Sequence, residues 1–360
     1  TSIAAFGTAS NLYDFINLYR QRLFFVKKDS LEIEYLAANA IAGTATNYPL
    51  GAVFKEGGKI VSLVTWTIDS GTGPEDNLVV ITSKGQAAIF NGNDPAVWVL
   101  RGIYRVGIPL GAKCAIPYGG DVLIITETGL VALSTLVQST SIDRSRALTQ
   151  NFRRIFNDYA QSFGTVFGWQ IIIDPIAPFV MVNAPSPGNA VQAVMNSQTG
   201  AWALYTGLNA CCWARKGSLL YFGHSTTGTV YNLTPAVYTD AGTPFSASFT
   251  QAYSRLGQAG NKKIQEIKPY IYVPGTASYP FTVLSYTLGI SYDLSDPMEL
   301  STPAGADNLG TYTDNATISS WQSVLDNYSM WKGLTLSITP QAAGLVYRGS
   351  DILYTVGGHF

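Results

Sequence analysis

"GGDVLIITETGLVAL", residues 119–133, reads as a buried strand, a tight turn and a second strand. A near copy, "EDNLVVITSKGQAAI", occupies residues 75–89. A third close copy is "GSLLYFGHSTTGTVYNL" (217–233), and looser versions of the same hairpin are "RLFFVKKDSLEIEYL" (22–36) and "FVMVNAPSPGNAVQAVM" (179–195). In the three closest copies Gly85, Gly129 and Gly228 hold the same turn position, where a tight hairpin needs a positive φ. The run before each turn is apolar at successive positions, so the strand is expected to bury both of its faces between two layers.

The copies recur at roughly 40–60 residues, a distance that four short antiparallel strands fill and a hairpin alone does not. The stretches between them supply further strands: "KIVSLVTWTID" (59–69), "AVWVLRGIYRVG" (96–107) and "GAWALYTGLNACCWA" (200–214). A four-stranded sheet cannot hide both faces alone, but sheets stacked around an axis can. The expected fold is therefore all-β: a β-propeller-like array of about five four-stranded blades over 1–240. An antiparallel β-sandwich is expected over 241–360, where the hairpin repeat stops and strands such as "KKIQEIKPYIYV" and "FTVLSYTLGISYDL" continue between polar loops.

One segment breaks the β pattern. In "SIDRSRALTQNFRRIFNDYAQ" (141–161), Leu148, Phe152, Ile155, Phe156 and Tyr159 fall at helical spacing, which predicts a helix inserted in the propeller. Arg144, Arg146, Arg153 and Arg154 make it the most basic stretch of the chain. Two roles are open to these arginines. They either sit solvated or ion-paired on a packed helix, or they contact a neighbouring subunit or DNA phosphates.

Composition narrows the function classes. Of 360 residues only 12% are charged, about half the usual share, whereas Gly (35), Tyr (21) and Phe (16) are abundant. Depletion of charge with enrichment of aromatics is the pattern of interface cores, so much of the exterior is expected to be covered by partners. The net charge of −1 excludes bulk attraction to nucleic acid or anionic membranes. Three cysteines, Cys114, Cys211 and Cys212, make no disulfide framework, which fits assembly in a reducing cytoplasm. No apolar run is long enough to span a bilayer. The chain opens on Thr1 without a signal-peptide pattern, the start expected of a processed chain or a piece of a longer product.

Catalytic motifs are scarce. His224 and His359 lack a Cys or His neighbour at ligand spacing, and neither a nucleophile elbow nor a P-loop occurs. The carboxylates Asp121, Glu127, Asp143 and Asp174 could serve a glycoside hydrolase, but the sequence sets no pair at a working separation. No catalytic residue and no cofactor is expected. The loop "DSGTGPEDN" (69–77) offers Asp69, Glu75 and Asp76 as a weak Ca²⁺ candidate, in residue types that are equally ordinary in turns.

The ordered series "QRLFFVKKDSLEIEYL", "LGAVFKEGGKIVSLVTWTIDSGTG", "NLVVITSKGQAAIFNGNDP", "GIYRVGIPLGAKCAIPYGGDVLIITETGLVALS", "NSQTGAWALYTG", "LLYFGHSTTGTVYNL" and "YRGSDILYTVGG" resembles tail structural proteins of double-stranded DNA bacteriophages. Among these it is similar to the propeller-bearing nozzle, or tail tubular, proteins of short-tailed phages. The resemblance implies a virion protein assembled in the host cytoplasm. It further implies a homo-oligomeric ring, expected as a hexamer, that extends the DNA ejection channel below portal-proximal adaptor proteins and meets genomic DNA transiently. Tail fibres or spikes would attach around it. The family supplies no catalytic residues, and its members are often longer than this chain. An alternative is a receptor- or glycan-binding propeller at the tail tip, using aromatics such as Trp98, Trp202 and Trp213; a glycan hydrolase is a third reading.

Overall fold

The computed structural model describes residues 12–69, 73–137, 147–174 and 176–234, then 239–244, 257 and the strands given below for the C-terminal unit. Contacts divide the chain into two compact units, Thr1–Leu233 and Thr234–Phe360, a boundary slightly before the expected one.

The first unit is a run of five small antiparallel sheets, each a simple meander. Sheet 1 is β1 (Tyr13–Tyr19), β2 (Arg22–Lys27), β3 (Glu32–Tyr35) and β4 (Thr46–Pro49). Sheet 2 is β5 (Ile60–Asp69), β6 (Pro74–Thr82), β7 (Gln86–Asn91) and β8 (Val99–Arg105). Sheet 3 has β9 (Ala115–Tyr118), β10 (Asp121–Thr126) and β11 (Gly129–Ala132). Sheet 4 is β12 (Gln170–Ile173), β13 (Phe179–Ala184), β14 (Val191–Asn196) and β15 (Trp202–Thr206). Sheet 5 has β16 (Ala210–Lys216), β17 (Leu219–His224) and β18 (Val230–Leu233). The first strand of each sheet touches the first strand of the next, β1 to β5, β9, β12 and β16 in turn, so the first strands gather around one axis. This is a five-bladed β-propeller. All five hairpins read from the sequence occupy one place in it, the second and third strands of their sheet.

Buried side chains explain why those hairpins are apolar at successive positions. On β6, Leu78 and Val80 pack toward sheet 1, while Val79 and Ile81 pack toward sheets 3 and 4. On β14, Ala193 and Met195 join that second cluster and Val194 the one shared with sheet 5. A central strand sandwiched on both faces loses the alternation of a half-exposed strand. The first cluster centres on Trp98, which stacks on Phe24 at 5.4 Å and meets Tyr48 edge-on at 5.1 Å. Such aromatic pairs add about 0.5–1.5 kcal/mol each beyond area burial.

Among the described residues sheets 1, 2 and 4 carry four strands and sheets 3 and 5 three. After β11 the chain enters a short helix α1 (Leu133–Val137), and residues 138–146 lie outside the described residues. One expectation is corrected: of the helix placed at about 141–161, residues 141–146 lie outside the described residues, and within the rest α2 starts only at Arg153 and runs Arg153–Phe163. The cause is local. Leu148 donates its N–H to the Leu130 carbonyl (2.8 Å), and the Thr149 hydroxyl accepts from the Leu130 N–H (3.2 Å), which pins 147–149 to β11. A 3-10 turn, Gln150–Phe152, follows, and helical geometry starts only then. Of the expected stripe, Phe156 is buried and Phe152 and Tyr159 pack beside it, whereas Leu148 and Ile155 face solvent.

The C-terminal unit is antiparallel β. A small ribbon pairs β19 (Thr239–Asp240) with β20 (Thr243–Pro244). One four-stranded sheet orders β21 (Ala247–Thr250), β27 (Trp331–Pro340), β23 (Phe281–Ser291) and β24 (Ala306–Asn308). The other joins β22 (Lys262–Tyr272) to β25 (Gln322–Ser323), β26 (Tyr328–Ser329) and β28 (Val346–Val356). Two such sheets are the components of the expected sandwich, and the all-β class holds throughout.

Candidate functional site

The starts of the first strands converge on an axial cavity of about 1150 Å³. Every sheet contributes to its wall: Phe15 from β1, Ile60 from β5, Leu110 and Lys113 from the approach to β9, Trp169 and Gln170 at β12, and Cys211 with Cys212 from β16. Helix α2 lies across the same opening with Arg153, Asn157 and Ala160. Gly111 lets the β9 approach run against Trp169; a Cβ there would stand 2.8 Å from the Trp169 carbonyl oxygen. The Trp169 indole N–H in turn donates to the Phe163 carbonyl (2.8 Å) and fixes the C-terminal end of α2 over the wall.

The lining is mixed in charge. Lys59 is held by Asp29 at 2.6 Å, a pairing that raises the lysine pKa and lowers that of the aspartate. Lys113 and Arg153 face the cavity as cations and Asp14 and Glu127 as acids, and among the described residues no ion pair joins these four. The Asn157 Oδ1 is buried without a partner.

On β16 a bulge between Ala210 and Cys212 breaks the alternation, and both thiols line the cavity with their Sγ atoms 3.8 Å apart. Burial and the neighbouring Cys212 thiol raise the Cys211 pKa. Cys114 is fully buried, and desolvation pushes its thiol up to about 12. Sequence reasoning missed the pair, because adjacent strand residues ordinarily point to opposite faces and nothing in the string announces a bulge.

The other residues singled out in the sequence lie elsewhere. Arg153 lines the cavity, Arg154 lies beside it on α2, and Arg144 and Arg146 fall outside the described residues. Glu75 and Asp76 are neighbours on β6 and so project to opposite faces. Glu75 accepts from Arg101 (3.2 Å) and Asp76 from the Thr67 hydroxyl (2.6 Å). Asp69 pairs with Pro74 at the far end of β5. Among the described residues no three of His, Cys, Asp and Glu gather as a metal set. Asp121 accepts from the Val122 and Ser134 N–H groups and so joins β10 to α1, and Asp174 accepts from those of Ile176 and Ala177 in a turn. Asp143 and His359 lie outside the described residues, and His224 Nδ1 accepts turn N–H groups at 3.3 Å. Trp98 and Trp213 pack between sheets, and Trp202 sits against Phe152 at 4.8 Å.

The rim of the propeller is distinctive. Among the described residues, the outermost strands β8, β15 and β18 have no partner beyond them in their sheets. They expose Val99, Leu100 and Ile103, then Leu204 and Tyr205, then Val230 at 67% of its surface. Exposed apolar edge strands are templates for pairing with another chain.

No known protein family matches the chain, and no curated protein matches it. Among solved structures it is similar to the AfRom2 CNH domain, with 9% identity over 62% of this chain and 71% of that one, at a TM-score of 0.36. It is also similar to the WD40 domain of SCAP from fission yeast, with 9% identity over 89% and 82% and a TM-score of 0.30. Likenesses this distant carry no argument, and the propeller assignment rests on the sheets themselves.

No helix among the described residues is long and apolar enough to cross a membrane.

Proposed function

We propose that this protein is a structural component of a phage tail, a nozzle-type subunit that forms a ring with identical copies and extends the DNA ejection channel. The observation that carries the reading is the apolar, unpaired rim on β8, β15 and β18, in a chain with only 12% charged residues. Subunit contacts favour such surfaces, since each charge buried there needs a partner to offset its desolvation. The resemblance of the ordered strand series to tail proteins supplies the particle: a virion protein assembled in the host cytoplasm beside adaptor proteins, with fibres or spikes around it. The cavity acts in this reading as a socket and not as a catalytic site. The near-neutral charge suits a channel that must release DNA, because a densely basic lumen holds phosphates through counterion release.

Sedimentation of the full chain at micromolar concentration tests the assembly, and cryo-electron microscopy of the assembled particle tests its place. A closed ring of copies located in a tail supports the proposal. A stable monomer at tens of micromolar, or a particle density without this fold, overturns it.

A further inference from the structure

We infer that Cys211 and Cys212 form a two-thiolate site for a thiophilic divalent metal ion of the zinc–cadmium class, on the wall of the axial cavity. The inference is independent of the proposed place in a tail. Its basis is geometric. The β16 bulge turns two neighbouring side chains to one wall, and their sulfurs stand 3.8 Å apart. Two sulfurs each about 2.3 Å from a tetrahedral metal are separated by about 3.8 Å, so the pair already spans one edge of that tetrahedron.

The opposite strand leaves the space open. Gly223 pairs with Cys212, and a Cβ at that position would stand 3.0 Å from the Cys212 Sγ and 3.6 Å from the Cys211 Sγ. Both cysteines are only half-buried and reach the cavity, so an ion can arrive without unfolding the sheet. The remaining thiol, Cys114, is enclosed in the core and takes no part. Because no third side chain of ligand type completes the set among the described residues, water fills the other positions and the ion exchanges readily. Binding replaces two S–H bonds by two S–metal bonds and releases two protons to solvent; no electron is transferred.

The test is titration of the reduced full-length chain with Cd²⁺ in oxygen-free buffer, following sulfur-to-cadmium absorbance and proton release. Saturation at one Cd²⁺ per chain with two protons released is expected. The band should vanish in Cys211→Ser and in Cys212→Ser and persist in Cys114→Ala. Gly223→Ala should weaken Cd²⁺ binding about tenfold, the cost typical of disturbing the support of a metal ligand, with the circular dichroism unchanged. Absence of the band in the unmodified chain at submillimolar Cd²⁺ overturns the assignment. So does its persistence when both cysteines are serine, or an unaltered affinity in Gly223→Ala.

Discussion

Trp213 donates its indole N–H to the side-chain oxygen of Asn183 at 3.1 Å, a hydrogen bond that ties sheet 5 to sheet 4. Asn183 is fully buried and has every hydrogen-bonding group satisfied. Its Nδ2 donates to the carbonyls of Gly168 (2.8 Å) and Ala210 (3.2 Å), and its Oδ1 also accepts from Gln192 Nε2 (2.9 Å). Gln170 repeats the link nearer the cavity, donating to the Trp213 carbonyl (2.9 Å) and accepting its N–H (3.0 Å). With all of its side-chain groups bonded in a low-dielectric core, Asn183 fixes the relative placement of the two sheets, which apolar contact alone leaves loose.

Asn183→Ala therefore strands two donors and two carbonyls in the interior. Each stranded group costs about 1–3 kcal/mol, so a loss of at least about 3 kcal/mol is expected after partial relaxation. Thermal unfolding followed by tryptophan fluorescence checks it. A shift of Tm within error of zero would show that the network is not structural.

The repeated turn glycines should respond unequally. At Gly85 (φ +77°) an added Cβ would stand 2.7 Å from backbone atoms of Gly107, whereas at Gly228 (φ +67°) it meets open space. Gly228→Ala bears only the left-handed backbone penalty of about 1 kcal/mol. Gly85→Ala adds a clash with main chain that cannot rotate away, so at least about 2 kcal/mol is expected. Denaturant midpoints of the two variants, compared at equal m-value, decide between equal and unequal costs.

Stability should fall at alkaline pH. The folded pKa of Cys114 is raised from 9.0 to about 12 by desolvation, so below pH 9 the thiol is neutral in both states and adds no slope. Between pH 9 and about 12 the unfolded chain loses that proton while the folded chain keeps it, and stability decreases across this window. Tyr19 and Tyr48, both raised by burial, act in the same direction above pH 10. The alkaline slope of unfolding free energy should flatten in Cys114→Ala, which denaturant melts at several pH values measure. An identical slope contradicts the burial of this thiol.

Rim substitutions separate assembly from folding. Leu204→Lys with Val230→Lys places charges on exposed positions of β15 and β18, so each is expected to change Tm by no more than about 0.5 kcal/mol equivalent. On the proposed ring the same pair should shift the sedimenting species toward monomer, because a lysine in a subunit contact must be desolvated. Unaltered assembly would remove these strands from the interface.

The sequence by itself determined the propeller's inner layers. Runs such as Leu78–Ile81 and Val122–Ile125 are apolar at every position, short, rich in β-branched residues and followed by a turn glycine, which marks strands covered on both faces, so stacked sheets followed from local composition. The hairpin turns were equally legible at Gly85 and Gly129, since a tight turn demands an unusual φ from one residue. The helix boundary was not, because Leu130 and Thr149 are bonded across 19 positions and that bond, absent from any local pattern, holds 147–149 out of the helix. Nor was the cavity, whose wall takes a few residues from each of five sheets separated by most of the unit. The thiol pair on that wall depended on a single bulge. Local periodicity reports which faces of an element are buried; which elements then share an axis, and which side chains meet there, is set by long-range packing and became known only with the tertiary structure.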